Sequence, residues 1–316
     1  MSGAPLGYLT SNGARADATV PLTWFLVLLS SAVCLIIAYM LWRAVRRGRA
    51  VEAGLPAVAR GVGGVRLIFI GLGISSLFLL VALGWTMIAL GHVAPMPRRP
   101  EITIDVTAHQ WWWQADYGGA VPSERFTTAN EIHVPVGAKV LVRLHGGDVI
   151  HSFWVPKLTG KTDAIPGQVN LTWLEADEPG IYRGQCSEYC GLQHAHMGFE
   201  VVAESPREFA KWRAAQLQTA PPPVTPEQAE GLALMEYRCA LCHTVRGTSA
   251  GSNVGPDLTH LMSRRLIAAG TYPNNRANLA GWIEDPQGAK PGAQMPPQHL
   301  TGPQLQAVVA YLETLE

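Results

Sequence analysis

Two long uncharged runs set the first limit on what this chain can fold into. Leu22–Trp42 ("LTWFLVLLSSAVCLIIAYMLW") holds no charged residue over 21 positions, and Leu67–Leu90 ("LIFIGLGISSLFLLVALGWTMIAL") none over 24. A helix rises about 1.5 Å per residue, so each run is long enough to cross a hydrocarbon core of ~30 Å. A cleaved signal peptide fits the first run poorly. Only Arg15 stands ahead of it, against Asp17, and the run exceeds a usual signal-peptide apolar region. Between the runs lie Arg43, Arg46, Arg47, Arg49, Arg60 and Arg66 against the single acid Glu52. Short arginine-rich loops stay cytoplasmic. Both termini, and everything after Gly91, are therefore expected on the outer, periplasmic side of a bacterial inner membrane, with the lipid bilayer as the first partner.

The zero net charge gives no basic field of the kind nucleic-acid binding needs. After the second run and the linker "HVAPMPRRP", the pattern turns strand-like. "EITIDVTA" alternates Ile102, Ile104 and Val106; "AKVLVRLH" alternates Val140, Val142 and Leu144. Breakers such as "YGG", "PVG", "HGGD" and "EPG" divide the runs, which predicts an all-β sandwich or barrel. "SPREFAKWRAAQLQ" reads as a helix with Ser205 as N-cap, Pro206 at its first position, and Phe209 and Trp212 on one face. "TAPPPVTPEQ" is an extended, semi-rigid linker. A last unit starts near Glu227 and ends in a helix, where Leu305, Val308, Val309 and Leu312 keep helical spacing after Thr301 and Pro303. The expected divisions are 1–21 (outer segment), 22–92 (two spans and their loop), 93–215, 216–226 (linker) and 227–316.

Five cysteines are present. Cys34 lies inside the first span and reads as a passive thiol. The other four form two close pairs on the oxidising side, where disulfides are the default. "CALCH" (Cys239–His243) has the C-x-x-C-H spacing of haem attachment: Cys239 and Cys242 add to the two vinyl groups, and His243 reaches the iron from one face. A zinc or redox C-x-x-C could share part of this spacing. The setting, in a unit that ends in a helix, favours haem c. The second axial ligand is to be sought among Met262, Met295, His260 and His299, and a Met ligand would raise the potential. The unit resembles class I cytochrome c domains over Glu227–Glu316. That resemblance puts the axial role on Met295 and the "GPDL" segment with Pro256 on the histidine side, and has Gly231 let the first helix approach Tyr311.

"CSEYCGLQHAHM" (Cys186–Met197) is the second chemical centre. A disulfide would leave His194 and Met197 unexplained, and a thioether suits zinc poorly. Cys, His and Met on one loop of a β-sandwich are soft ligands suited to copper electron transfer. Two thiolates exceed what one blue-copper ion needs but can bridge a copper pair. "DVIHSFWVP" supplies His151, 35 residues upstream.

"HQWWW", "DVIHSFWVP", "KTDAIPGQ" and "YRGQCSEYCGLQHAHM" resemble, in order and spacing, subunit II of haem–copper cytochrome c oxidase. The fused haem unit resembles the caa3-type variant. The resemblance implies a two-helix transmembrane hairpin, a cupredoxin-like dinuclear copper (CuA) domain and the cytochrome c domain. It implies one copper on His151 and Met197 and the other on His194 and the Glu188 carbonyl, with Cys186 and Cys190 bridging. His196 matches no ligand position. Asp163 and the Glu188 side chain would be this chain's share of a Mg²⁺ site completed by a neighbouring subunit. Alternation puts Trp111 and Trp113 on one face of "HQWWW" and Trp112 on the other, and the resemblance makes Trp111 the electron-entry indole.

The implied partners are oxidase subunit I, which reduces O₂ with proton pumping, subunit III, and cytochrome c or a bc1 complex as donor. One departure stands out: family members often carry an acid for proton uptake at the start of the second span, where this chain reads "ARGVGGVRLIF", and only Glu52 could substitute. A CuA-type nitric oxide reductase subunit and a membrane copper-delivery protein remain as alternatives.

Overall fold

The computed structural model describes residues 6–46 and 63–316. Glu52 and the arginines from Arg47 to Arg60 lie outside the described residues. The helices are α1 (Ala14–Asp17), α2 (Val20–Arg46), α3 (Gly63–Val93), α4 (Pro206–Gln216), α5 (Pro226–Arg238), α6 (Arg276–Glu284), α7 (Pro286–Ala289) and α8 (Gly302–Leu312). The strands are β1 (Ile102–His109), β2 (Trp112–Tyr117), β3 (Phe126–Ala129), β4 (Glu131–Pro135), β5 (Val140–Gly146), β6 (His151–Trp154), β7 (Thr162–Ala164), β8 (Val169–Leu174), β9 (Gly180–Cys186), β10 (Gly198–Glu204), β11 (Leu266–Ile267) and β12 (Tyr272–Pro273).

The chain divides into two compact units, residues 17–95 in one, and the residues before and after that stretch in the other. In the first, α2 and α3 run 27 and 31 residues. Each extends past its uncharged run into flanking residues, as helices that anchor polar ends at a membrane surface do. Apolar side chains cover every side of both helices, and no residue in the most apolar stretch of either is buried. A helix apolar all round calls for lipid. Phe25 and Trp85 join the two, ring centroids 5.4 Å apart.

The second unit opens with residues ahead of α2. Asn12 exchanges backbone hydrogen bonds with Lys157 and Asp177 (2.9 Å each). The buried Arg15 guanidinium donates to Thr159 Oγ1, Thr172 Oγ1 and the Trp173 carbonyl at 3.0, 2.6 and 3.2 Å. Residues before the first span are thus stitched to the domain that follows the second. Both must lie on one side of a bilayer, as an even number of spans requires.

Two five-stranded sheets form that domain, in orders β3-β2-β1-β5-β8 and β4-β10-β9-β6-β7. β1 pairs parallel to β5, so Ile104 and Val106 stand beside Val142 and Leu144, all fully buried between the layers. The period-2 pattern of the sequence is this inward face. Ser205 caps α4 by accepting from Glu208 N (3.3 Å). Trp212 of α4 then lies flat on His133 of β4, centroids 4.1 Å apart.

α5 begins with a capping box in which Thr225 and Gln228 satisfy each other's backbone donors. It crosses α8 at Gly231. A β-carbon there would sit 1.9 Å from the Ala307 carbonyl oxygen and 2.9 Å from Tyr311 Cβ, so only glycine allows this approach. Met235, Val309 and Tyr311 fill the core beneath it.

Candidate metal and haem centres

The copper-type loop connects β9 to β10, adjacent antiparallel strands whose ends close it: Cys186 N donates to the Met197 carbonyl (3.0 Å). β6 lies on the other side of β9 with Phe153 opposite Cys186, and its first residue, His151, reaches toward the Cys186 sulfur. Thus the 35-residue gap in sequence becomes a neighbouring strand in space.

Cys186 and Cys190 are buried free thiols with sulfurs 3.8 Å apart. Cys186 Sγ lies 3.8 Å from His151 Nδ1 and 3.3 Å from the Glu188 carbonyl. Cys190 Sγ lies 3.6 Å from His194 Nδ1 and 3.8 Å from Met197 Sδ. Metal bonds of ~2.0–2.3 Å at tetrahedral angles separate neighbouring donors by about 3.3–3.8 Å. These six donors therefore have the spacing of metal ligands before any ion enters. The hydrogen bond between the two thiols is the main cause holding the Cys186 thiol down at about 3, and it pushes that of Cys190 up. One thiolate stands ready in the pair, and a cation would favour the second.

His151 is fixed from behind. Its Nε2–H donates to Asp148 Oδ1 at 2.8 Å, which leaves Nδ1 for the sulfur side. Asp148 also accepts from the backbone N–H groups of Gln110 and Val149, 2.6 Å each. Sequence reading passed over Asp148 as part of the breaker "HGGD". The signal available was an acid three residues ahead of the ligand histidine.

In "HQWWW", Trp113 is fully buried, edge-on to Phe153. Trp112, half-buried, stacks on His109. Trp111 is 9% exposed, and its indole N–H donates to the Cys190 carbonyl at 2.9 Å. Gln110 Nε2 donates to the same oxygen at 2.8 Å. His196 is exposed and bonds Gln193 Oε1 at 2.8 Å. Asp163, half-buried in β7, lies opposite Ser152. Among the described residues, the close set of three or more His, Cys, Asp or Glu donors is His151, Cys186 and Cys190, with neither Asp163 nor Glu188 joining it.

The haem-type motif caps α5. Cys239 ends the helix, and the next turn carries Cys242 and His243, with both their N–H groups donating to the Cys239 carbonyl. Cys239, Cys242, His243 and Met295 all line one cavity of about 300 Å³. His243 Nδ1–H donates to the Pro256 carbonyl at 2.8 Å, which frees Nε2 for a metal. Of the four candidates for the second ligand, Met295 lines the cavity, while Met262, His260 and His299 do not. The Met295 loop is braced by Gln287, whose amide donates to the Ala293 and Met295 carbonyls (2.7 and 2.9 Å) and accepts from Gly292 N (2.9 Å). Sequence reading missed Gln287. The same cavity is lined by Trp111. Donor types, spacing and cavity all fit a copper pair and a covalent haem.

Two family models match. "Cytochrome C oxidase subunit II, periplasmic domain" takes in residues 121–205, and "Cytochrome c" takes in 228–316. Cytochrome c oxidase subunit 2 of Bacillus sp. strain PS3 is 32% identical over 86% of this chain and 80% of its own length. This chain belongs to the cytochrome c oxidase subunit II family. Subunit 2 of Alkalihalophilus pseudofirmus is 42% identical over 68% of the chain, a match that spans 61% of that relative. The crystal structure of the periplasmic domain of subunit II of cytochrome oxidase of Bradyrhizobium japonicum is similar at 34% identity, covering 38% of this chain and 96% of that one with a TM-score of 0.36. The two apolar helices, the β-sandwich and the C-terminal helical domain together are a subunit II of the kind that carries a fused cytochrome c.

Proposed function

We propose that this chain is the electron-entry subunit of a haem–copper terminal oxidase, receiving electrons from an external cytochrome c or bc1-type donor for the O₂-reducing, proton-pumping subunit I, with subunit III alongside. When bound, haem c and the copper pair supply one-electron redox chemistry. Cys239 and Cys242 would hold the haem covalently, with His243 and Met295 on its iron. His151 and Met197 would serve one copper, and His194 and the Glu188 carbonyl the other. Cys186 and Cys190 would bridge. Each sulfur neighbours one donor of each copper set: Cys186 has His151 and the Glu188 carbonyl, Cys190 has His194 and Met197. A bridging position requires that arrangement. A Mg²⁺ shared with the neighbouring subunit would take Asp163 and the Glu188 carboxylate from this chain.

One observation carries the reading. Trp111 lines the cavity that holds Cys239, Cys242, His243 and Met295, and its indole N–H is bonded to the carbonyl of Cys190. A single side chain therefore spans from the haem cavity to a copper-ligand residue, with no solvent gap between. The sandwich orients every ligand and excludes water around His151, Cys186 and Met197, each at most 1% exposed. A rigid, dry site changes little when its charge changes, which favours electron transfer.

In the purified complex, a reduced donor should drive O₂ uptake. Consumption of NO without O₂ uptake would move the chain to a nitric oxide reductase instead.

A further inference from the structure

A proline-rich linker alone would leave the haem domain tethered and mobile, at high effective concentration. The described contacts are more specific than a tether. Ala220 N donates to the Arg246 carbonyl (2.9 Å), and the Arg246 guanidinium donates back to the Gln216 carbonyl. Across the domain contact, Gln193 Nε2 donates to the Pro291 carbonyl (2.9 Å), Gly198 N to the Ala269 carbonyl (3.0 Å) and Arg265 N to Glu131 Oε2 (3.1 Å).

The most unusual group at this contact is Lys290. It is 3% exposed. Its ammonium donates to the Trp111 and His196 carbonyls of the copper domain at 2.9 Å each, and to the Ala268 carbonyl of its own domain at 3.3 Å. An ammonium has three donors and no acceptor, so all three are used. Burying an ammonium is costly, and burial holds the Lys290 pKa down at about 7. That cost is offset only where all three carbonyls converge, and two of them belong to the other domain. The arrangement is thus satisfied in one docked register. The latch also sits at the relevant place. Lys290 precedes Met295 by five residues. Trp111, whose carbonyl it holds, is the residue whose indole bonds Cys190.

We propose that Lys290 is a positioning residue that latches the Met295 loop onto the Trp111 edge of the copper domain, so that electrons cross a fixed contact rather than waiting for a tethered domain to swing. The inference rests on the relay reading above.

The test uses the purified holo complex, with haem c photoreduced and haem-to-copper transfer followed by time-resolved absorbance. In the wild type, the transfer rate should not change with solvent viscosity. In Lys290→Met, reduction of the haem by the external donor should keep its rate. Haem-to-copper transfer should slow by about tenfold or more, as loss of a buried interfacial charge contact does to docking, and should fall further as viscosity rises. A wild-type rate that tracks viscosity, or a Lys290→Met rate equal to wild type, overturns the latch. If Lys290→Met fails to load its cofactors, the wild-type viscosity series decides alone. Wild-type protein that shows no haem c or copper absorption would strike the relay reading itself, a distinct failure.

Discussion

Asp148 offers a sharp probe of how the fold builds its metal ligands. The carboxylate touches no candidate metal donor except through His151, yet it accepts three hydrogen bonds, from His151 Nε2 (2.8 Å), Gln110 N (2.6 Å) and Val149 N (2.6 Å). The first sets the ring so that Nδ1 faces Cys186; the second ties down the turn that presents Trp111. Asp148→Asn keeps one oxygen to accept from His151 and Val149, but it loses the charge and sets an amide N–H against the Gln110 N–H. A charge-assisted bond is worth about 1.5–3 kcal/mol against about 0.5–1.5 for a neutral one. The loss is then about 1 kcal/mol, or roughly fivefold in copper affinity. Asp148→Ala frees the ring and strands two backbone donors. Loss of such an outer partner costs about 10–100-fold in metal affinity, with alanine expected near the upper end. The assay is chelator competition on the purified full-length chain, read as copper per polypeptide and visible absorption, with haem c content as internal control. The expected order is wild type, then Asn, then Ala, at constant haem content. Ala binding copper as tightly as wild type, or haem and copper falling together, would refute the reasoning.

Three other outcomes follow from the same geometry. Gly231→Ala must push α5 off α8 and should cost about 3 kcal/mol or more, seen as a lower melting temperature of the haem domain and incomplete haem attachment. Met295→His should lower the haem reduction potential, since a Met ligand raises it; a redox titration showing no change would exclude Met295 from the iron. The third concerns His133, held between Glu131 and Glu204 at 2.9 and 3.2 Å. Burial lowers its pKa, but its bonds to Glu131 and Glu204 outweigh this and raise it. Burial raises that of Glu131, but the bond to and charge of His133, with the Arg265 N–H and the Arg264 charge, together outweigh it and bring it down. The His133 share of stability is full below its ordinary value of 6.5 and is lost as pH rises through the higher folded value. The Glu131 share is present above 4.5 and is lost as pH falls through the lower folded value. Thermal unfolding against pH should show a plateau between these limits, and His133→Phe, which keeps the stack on Trp212, should remove the alkaline slope.

Much of the fold was legible because it is written in short periods. Ile104 and Val106 alternate as the inner face of β1, Ser205 announces its helix, and the resemblance to cytochrome c domains places Gly231 at a close helix crossing. Thr225–Gln228, by contrast, read as extended linker, yet they open α5 with a capping box. The ligand types in "CSEYCGLQHAHM" and "CALCH" were equally plain, since metal and haem chemistry restricts both residue and spacing. What stayed hidden depends on distance. Lys290 in "KPG" has the look of a solvated turn, and no local pattern says that carbonyls 179 and 94 positions away will enclose it. Arg15 read as a lone charge ahead of a span, whereas Thr159 and Thr172 of the copper domain bury it. Gln287 and Asp148 act on ligands through hydrogen bonds to backbone or ring nitrogen, which leave no periodic trace. Polar residues that organise a site from behind are where local reading runs out.

The central claim, that a bridged copper pair and a covalent haem share this one chain, is tested most directly by metal analysis of the fully loaded protein beside its EPR spectrum. Two coppers per haem iron, with one unpaired electron spread over both coppers in the oxidised state, is the predicted result. A single copper per iron, or a Cys186–Cys190 disulfide in the loaded protein, would contradict it.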